Sequence, residues 1–138
     1  MDLTTVNFLA VIVATLAAFA LGAVWYTALF GKRWMKEVGF SEEQLKQGAN
    51  LGRIYGTCLL LTFVMGLGLA FIWHQEDPAS LTWQVGLYHG LLIGLFFVAP
   101  STGINYLYQR KSFALWLIDA GYQVVFLGIM GAVIGAWR

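Results

Sequence analysis

The chain has 138 residues, of which 59% are apolar and 11% charged, and its net charge is +1. Water-soluble domains carry about 25% charged residues, so a soluble fold would have too little polar surface, and the near-neutral balance excludes nucleic acid as a partner. The single cysteine, Cys58, lies inside an apolar run, which rules out an intrachain disulfide framework and a cysteine-based metal site and leaves it as a small packing residue.

One domain, 1–138, is expected, built from four apolar stretches that each reach the roughly 20 residues a membrane-crossing helix needs. The first runs over about 7–30. It has no Lys or Arg ahead of it, exceeds the length of a signal-peptide core and ends in Lys32 and Arg33, so it reads as a retained span. The segment 31–50 follows as the one extended polar connection. Within it, Ser41, Glu42, Glu43 and Gln44 form a capping-box pattern that predicts a short amphipathic helix at the membrane surface. The second span covers about 51–73, the third 83–108 and the fourth 113–137. No stretch alternates as a barrel strand would, so the expected fold class is an all-α membrane protein, a four-helix transmembrane bundle.

The basic residues set an orientation. Lys32, Arg33, Lys36, Lys46 and Arg53 lie on the first connection and its edges, and Arg110 and Lys111 on the third, whereas Arg138 alone lies on the opposite side. Seven against one places the first and third connections in the cytoplasm and both termini outside. Trp25, Tyr26, Trp34, Tyr106, Tyr108 and Trp116 then fall near the cytoplasmic boundary and Trp73, Trp83 and Trp137 near the outer one, as interface anchors do.

A faint duplication runs through these spans. Gly56, Met65 and Gly66 recur as Gly121, Met130 and Gly131 at a constant offset of 65 residues. The first span ends in Trp25-Tyr26 before Lys32-Arg33, and the third in Asn105-Tyr106 before Arg110-Lys111. A duplicated helical hairpin, a parallel repeat, accounts for both. Small residues also recur at helical spacing, as Gly86, Gly90 and Gly94, as Gly131 and Gly135, and as Ala14, Ala18 and Gly22. Such stripes let helix backbones approach closely, and three of them point to at least one contact between subunits of a homo-oligomer.

Asp119 is the leading functional residue. It lies about two turns inside the fourth span and shares a helix face with Tyr122, Gln123 and Phe126. A carboxylate at the bilayer centre costs roughly 2.5 to 3.5 kcal/mol, less at shallower depth. Two opposite readings follow. Unpaired, Asp119 is a titratable proton carrier; paired with Arg53 of the second span, it is a structural ion, and this pair is the expected arrangement because most buried carboxylates are paired. Tyr26, Thr27, Tyr55, Thr57, Ser101, Thr102, Asn105, Tyr122 and Gln123 join it in the cytoplasmic half, predicting a polar cavity or hydrogen-bonded plug beneath an apolar seal. Pro100 is expected to kink the third span there. His89 stands apart in the outer half, where one interhelical hydrogen bond is the expected role and a proton relay the alternative. His74 and His89 lie on different spans without a carboxylate at ligand spacing, so no metal and no cofactor are expected. Nucleophile, phosphate-loop and dinucleotide motifs are missing from the sequence.

The segments Gly22-Ala23-Val24-Trp25-Tyr26, Phe30-Gly31-Lys32-Arg33-Trp34-Met35 and Ile118-Asp119-Ala120-Gly121-Tyr122 resemble the bacterial family of small integral membrane proteins called domain of unknown function 1761. The resemblance spans nearly the whole chain, implies a multi-pass protein of the bacterial inner membrane and supplies no activity. It groups Trp25, Tyr26, Gly31, Trp34, Asp119 and Tyr122. Ser-Pro is expected after Trp-Tyr in that family, whereas this chain has Thr27-Ala28 and no proline to break the helix.

The expected function is a homo-oligomer in the lipid bilayer that binds or translocates a small solute or ion through a cytoplasm-facing polar cavity. The binding candidates are Asp119, Tyr122, Gln123, Asn105, Tyr26, Trp25, Arg53 and His89. A non-enzymatic accessory or scaffold protein is the alternative from another class, and a small membrane enzyme acting on a lipophilic substrate is a third. The orientation is testable in intact cells. A membrane-impermeant thiol reagent should label Gln75→Cys from outside and spare Gln47→Cys; the reverse pattern refutes the assignment.

Overall fold

The computed structural model describes residues 2–48 and 50–137. Among them the chain is helical with no strand, and four helices are long and apolar enough to cross a membrane: Phe8–Leu29, Leu51–His74, Trp83–Tyr108 and Phe113–Ala136. Each begins on a side-chain cap that satisfies a free N–H of its first turn. Asn7 accepts from Ala10, Asn50 from Arg53, Thr82 from Val85 and Ser112 from Leu115. The segment between the first two spans holds a helix over Gly31–Val38 and a short one over Glu42–Lys46. Ser41 and Gln44 close the reciprocal capping box at the second of these. On Gly31–Val38, Trp34, Met35 and Val38 are half-buried while Lys32, Arg33 and Lys36 are exposed, the division expected of a helix lying along a membrane surface. It stops at Gly39, whose φ of 81° lets its N–H reach back to Met35.

The fourth span is the hub. It packs most extensively against the third, then the first, and less against the second. The contact with the third span is backbone to backbone. A Cβ on Gly86 would lie 2.1 Å from the Gly131 carbonyl oxygen, and one on Gly90 would lie 2.2 Å from that of Leu127. Gly94 faces Val124, and Gly135 faces Thr82 and Gly86. In the first span Ala14 and Ala18 are fully buried and Gly22 receives the Tyr122 ring. All three small-residue stripes thus make close contacts within one chain.

The spans converge at the end that carries the termini and spread at the end that carries the basic connections. Val11, Leu69, Trp73, Phe126, Leu127, Met130 and Ile134 form the core near the first end, where Asn7 Nδ2 also donates to the Trp137 carbonyl at 2.9 Å. The second span joins this core through Gly66, Leu69, Ala70 and Trp73, with Phe63, Met65 and Leu67 packed against it, and every residue over 51–61 is exposed. Where it diverges from the first span it leaves an apolar groove of about 290 Å³ between Ile12, Thr15 and Leu16 on one side and Gly56, Leu59, Leu60 and Phe63 on the other.

Two π-turns interrupt the spans, at Trp25–Leu29 and Gly94–Val98. The first arises without a proline: the Phe30 N–H reaches back five residues to the Trp25 carbonyl at 2.8 Å. The helix therefore does change course after Trp25-Tyr26, although Thr27-Ala28 occupy the place of Ser-Pro. Gly31 fits the close turn that follows, because a Cβ there would lie 2.7 Å from the Tyr26 carbonyl oxygen. The second π-turn ends immediately before Ala99-Pro100 and takes up the disruption of a residue with no N–H, so the expected proline kink is resolved as a π-turn.

The glycine contacts make a direct prediction. Gly86→Ala or Gly90→Ala should lower the stability of the bundle by about 1–3 kcal/mol, since backbone cannot swing aside as a side chain can. Gly68→Ala, whose Cβ meets nothing within 4 Å, should be neutral or slightly stabilising. Thermal or SDS-induced unfolding of the purified protein checks both; equal effects at Gly68 and Gly86 would refute the backbone-contact account.

Candidate functional site

Asp119 stands on the fourth span six residues after Phe113, roughly 9 Å along the helix from that end. Its carboxylate joins three spans. Tyr26 Oη of the first span donates to Oδ1 at 2.7 Å, and Tyr106 Oη of the third span donates to Oδ2 at 2.5 Å. The two tyrosines end their spans in corresponding places and reach the same acid from opposite sides. Among the described residues no cationic side chain pairs with this carboxylate; the ion pairs present are Arg33 with Glu37 and Lys46 with Glu42. Arg53 is exposed on the detached half of the second span and does not pair with Asp119. In place of the expected Asp119–Arg53 pair, the acid accepts from two neutral phenol hydroxyls.

Aromatic rings surround the acid. Trp34 of the surface helix and Tyr122 stand edge-on to Tyr26 at centroid distances of 5.8 and 5.3 Å. Trp25 lies 6.3 Å from Tyr122 and 4.8 Å from Phe30. Trp25, Tyr26, Trp34, Tyr106, Trp116 and Tyr122 are all half-buried. Several also bind backbone carbonyls of a neighbouring span: Trp25 Nε1 that of Ile118 at 3.0 Å, Tyr122 Oη that of Ala18 at 2.9 Å, and Trp116 Nε1 that of Ala99 at 2.9 Å. In lipid, where water is absent, such donors have to find partners within the protein, and helix carbonyls supply them. Trp73 does the same at the far end, donating to Gly131 at 3.2 Å while 1% exposed, so it is a core residue and not the interface anchor expected.

One turn beyond Asp119, Gln123 is half-buried near the middle of the fourth span and makes no hydrogen bond with any other described residue. Asp119, Gln123 and Met130 follow one another at spacings of four and seven, so they share a stripe of the helix. Met130 at the end of that stripe touches Gly66 of the second span. The acid and the amide consequently lie on the side of the fourth span from which the second span has diverged.

The remaining expected site residues are dispersed. Asn105 and Ser101 are exposed on the third span, and Tyr55 is exposed on the second with its ring edge toward Phe19 at 6.4 Å. His89 has ring contacts with Trp73 at 5.9 Å and Tyr88 at 5.7 Å and no hydrogen bond to another described residue, in place of the interhelical bond expected. The described residues contain no group of three or more His, Cys, Asp or Glu side chains arranged to hold a metal. Conversely, Tyr106 and Trp34 belong to the site although their boundary positions suggested interface anchors. The likeness between the Trp25-Tyr26 and Asn105-Tyr106 span ends, in the sequence a sign of duplication only, is the feature that matches Tyr106 to Tyr26.

At the surface the cluster is clipped shut by Glu37, which accepts from Ser112 Oγ at 2.6 Å and pairs with Arg33 at 2.9 Å. The Ser112 hydroxyl first and the Arg33 charge second hold the Glu37 carboxyl below its usual range, so it is ionised at neutral pH.

The fold and this site together define a multi-pass membrane protein with a half-buried acid held between helices by tyrosines. The sequence matches the family model described as a protein of unknown function, DUF1761, over residues 9–135, and the chain belongs to that family. No curated protein and no solved structure matches it.

Removal of either hydroxyl tests the geometry. Tyr26→Phe and Tyr106→Phe should each lower stability by about 0.5–2 kcal/mol, between the value for an average interhelical bond in membranes and that for a bond to a charged group. In the Asp119→Asn background the same changes should cost less. Double-mutant unfolding measurements read this coupling, and strict additivity would mean that the bonds contribute nothing.

Proposed function

We propose that the chain is a homo-oligomeric protein of the bacterial inner membrane that binds or translocates a small solute or ion at the Asp119 site. Its basic connections face the cytoplasm and its termini face outward. The observation that carries this reading is the Asp119–Gln123 stripe. A carboxylate with two neutral donors and an amide that makes no side-chain hydrogen bond to another described residue lie one turn apart at membrane depth, on the side where the second span meets little of its own chain. Polar groups of this kind are costly in lipid, and something from outside the chain has to complete them. The excess of Lys and Arg at that end supports the orientation. The exposed face of the second span over 51–61 supports an oligomer, because it meets little of its own chain.

A scaffold role is the second reading, favoured by the two tyrosine bonds that occupy one site on each carboxylate oxygen. The two readings part in proteoliposomes loaded with a pH-sensitive dye and given a potassium or sodium gradient. Wild-type protein should accelerate ion or proton movement, and Asp119→Asn should fall to the level of protein-free vesicles. If the wild type is active and Asp119→Asn is equally so, Asp119 has no part in transport; if neither differs from empty vesicles for any ion, the scaffold reading stands.

A further inference from the structure

Tyr106 already holds a cation. Lys111 Nζ sits over its ring at 4.5 Å from the centroid, and the hydroxyl of the same ring bonds Asp119. The turn between the third and fourth spans builds this contact. Arg110 adopts a left-handed conformation with φ of 56°, its N–H bonds the Leu107 carbonyl at 3.1 Å, and the Lys111 N–H bonds that of Tyr106 at 3.0 Å. This pair of bonds is the helix-ending arrangement in which the residue after the left-handed position folds back on the last turn. That position is normally glycine, and an arginine there carries strain of about 1 kcal/mol or more. The fold-back places an ammonium where an apolar side chain would ordinarily lie.

We infer that the Asp119 site takes a lipophilic organic cation, an alkylated or arylated ammonium or phosphonium, and that Lys111 is a tethered competitor for it. The inference rests on the reading of Asp119 as a binding site. The surroundings select the ligand class. Calcium and magnesium take six or more oxygen ligands, whereas this carboxylate meets two phenol hydroxyls, one of them on a ring packed against Trp34 and Tyr122. Faces of Trp and Tyr attract weakly hydrated cations, and an uncompensated carboxylate supplies the counter-charge. Trp34 and Tyr122 meet Tyr26 edge to face, at 76° and 73°. The route of approach is apolar: the stripe that carries Asp119 and Gln123 faces the side from which the second span diverges, beside its exposed 51–61 segment. Lys111 is itself exposed and reaches Tyr106 on a flexible stem, so its displacement costs only an exposed cation–π contact.

The test is calorimetric titration of tetraphenylphosphonium into the full chain in lipid nanodiscs, with sodium and potassium chloride as comparison probes. Unfolding midpoints of each variant verify folding. Wild-type protein should bind tetraphenylphosphonium saturably, Asp119→Asn should lose most of that affinity, and Lys111→Gln should bind about two- to fivefold more tightly. Lys111→Gln alters only an exposed side chain and keeps the proposal falsifiable if Asp119→Asn fails to fold. Unchanged or weaker binding by Lys111→Gln overturns the competitor role. Absence of tetraphenylphosphonium binding, together with Asp119-dependent binding of sodium or potassium, overturns the ligand class and leaves the Asp119 site standing. Binding of every probe unaffected by Asp119→Asn overturns both.

Discussion

Where Gly86 and Gly90 of the third span meet the carbonyls of Gly131 and Leu127, two helices touch backbone to backbone with no side chain between them. In lipid no hydrophobic force draws apolar helices together, so association depends on close packing and on hydrogen bonds. These glycines supply the packing at the end near the termini. Their contact makes the fourth span the hub, and the buried rings of Trp73 and Phe126 complete the core around it.

At the other end the helices spread, and polar bonds take over from packing. Tyr26 and Tyr106 meet on Asp119, Tyr122 and the indoles of Trp25 and Trp116 bind carbonyls of adjacent spans, and Ser112 with Arg33 secures Glu37. The second span takes little part in this end. The arrangement pairs a rigid, dry half with one that is held by hydrogen bonds, and hydrogen bonds exchange partners more readily than packed backbones separate. A ligand that rearranges the Asp119 cluster would therefore leave the glycine contact intact.

Much of the fold was legible in the residues. The four spans emerged from apolar length and the short helix from the Ser41–Gln44 box, because these features act over one or two turns. Asp119 stood out for the same reason, as a charge inside an apolar run. Its partners did not. Arg53 was expected from depth alone, but depth along two helices says nothing of their separation, and the second span diverges before Arg53 comes near. The glycine stripes marked close helix approaches without identifying the helices that make them, because spacing alone does not name a partner.

The sequence by itself thus determined four membrane-crossing helices and which one carries the acid, since hydropathy is a local property. Only the tertiary structure decided that tyrosines of the first and third spans meet on Asp119, that the third and fourth spans join through glycine, and that the second stands apart. Those outcomes depend on how helices rotate and tilt against one another. Many weak contacts set these at once, and none of them is visible in a single helix.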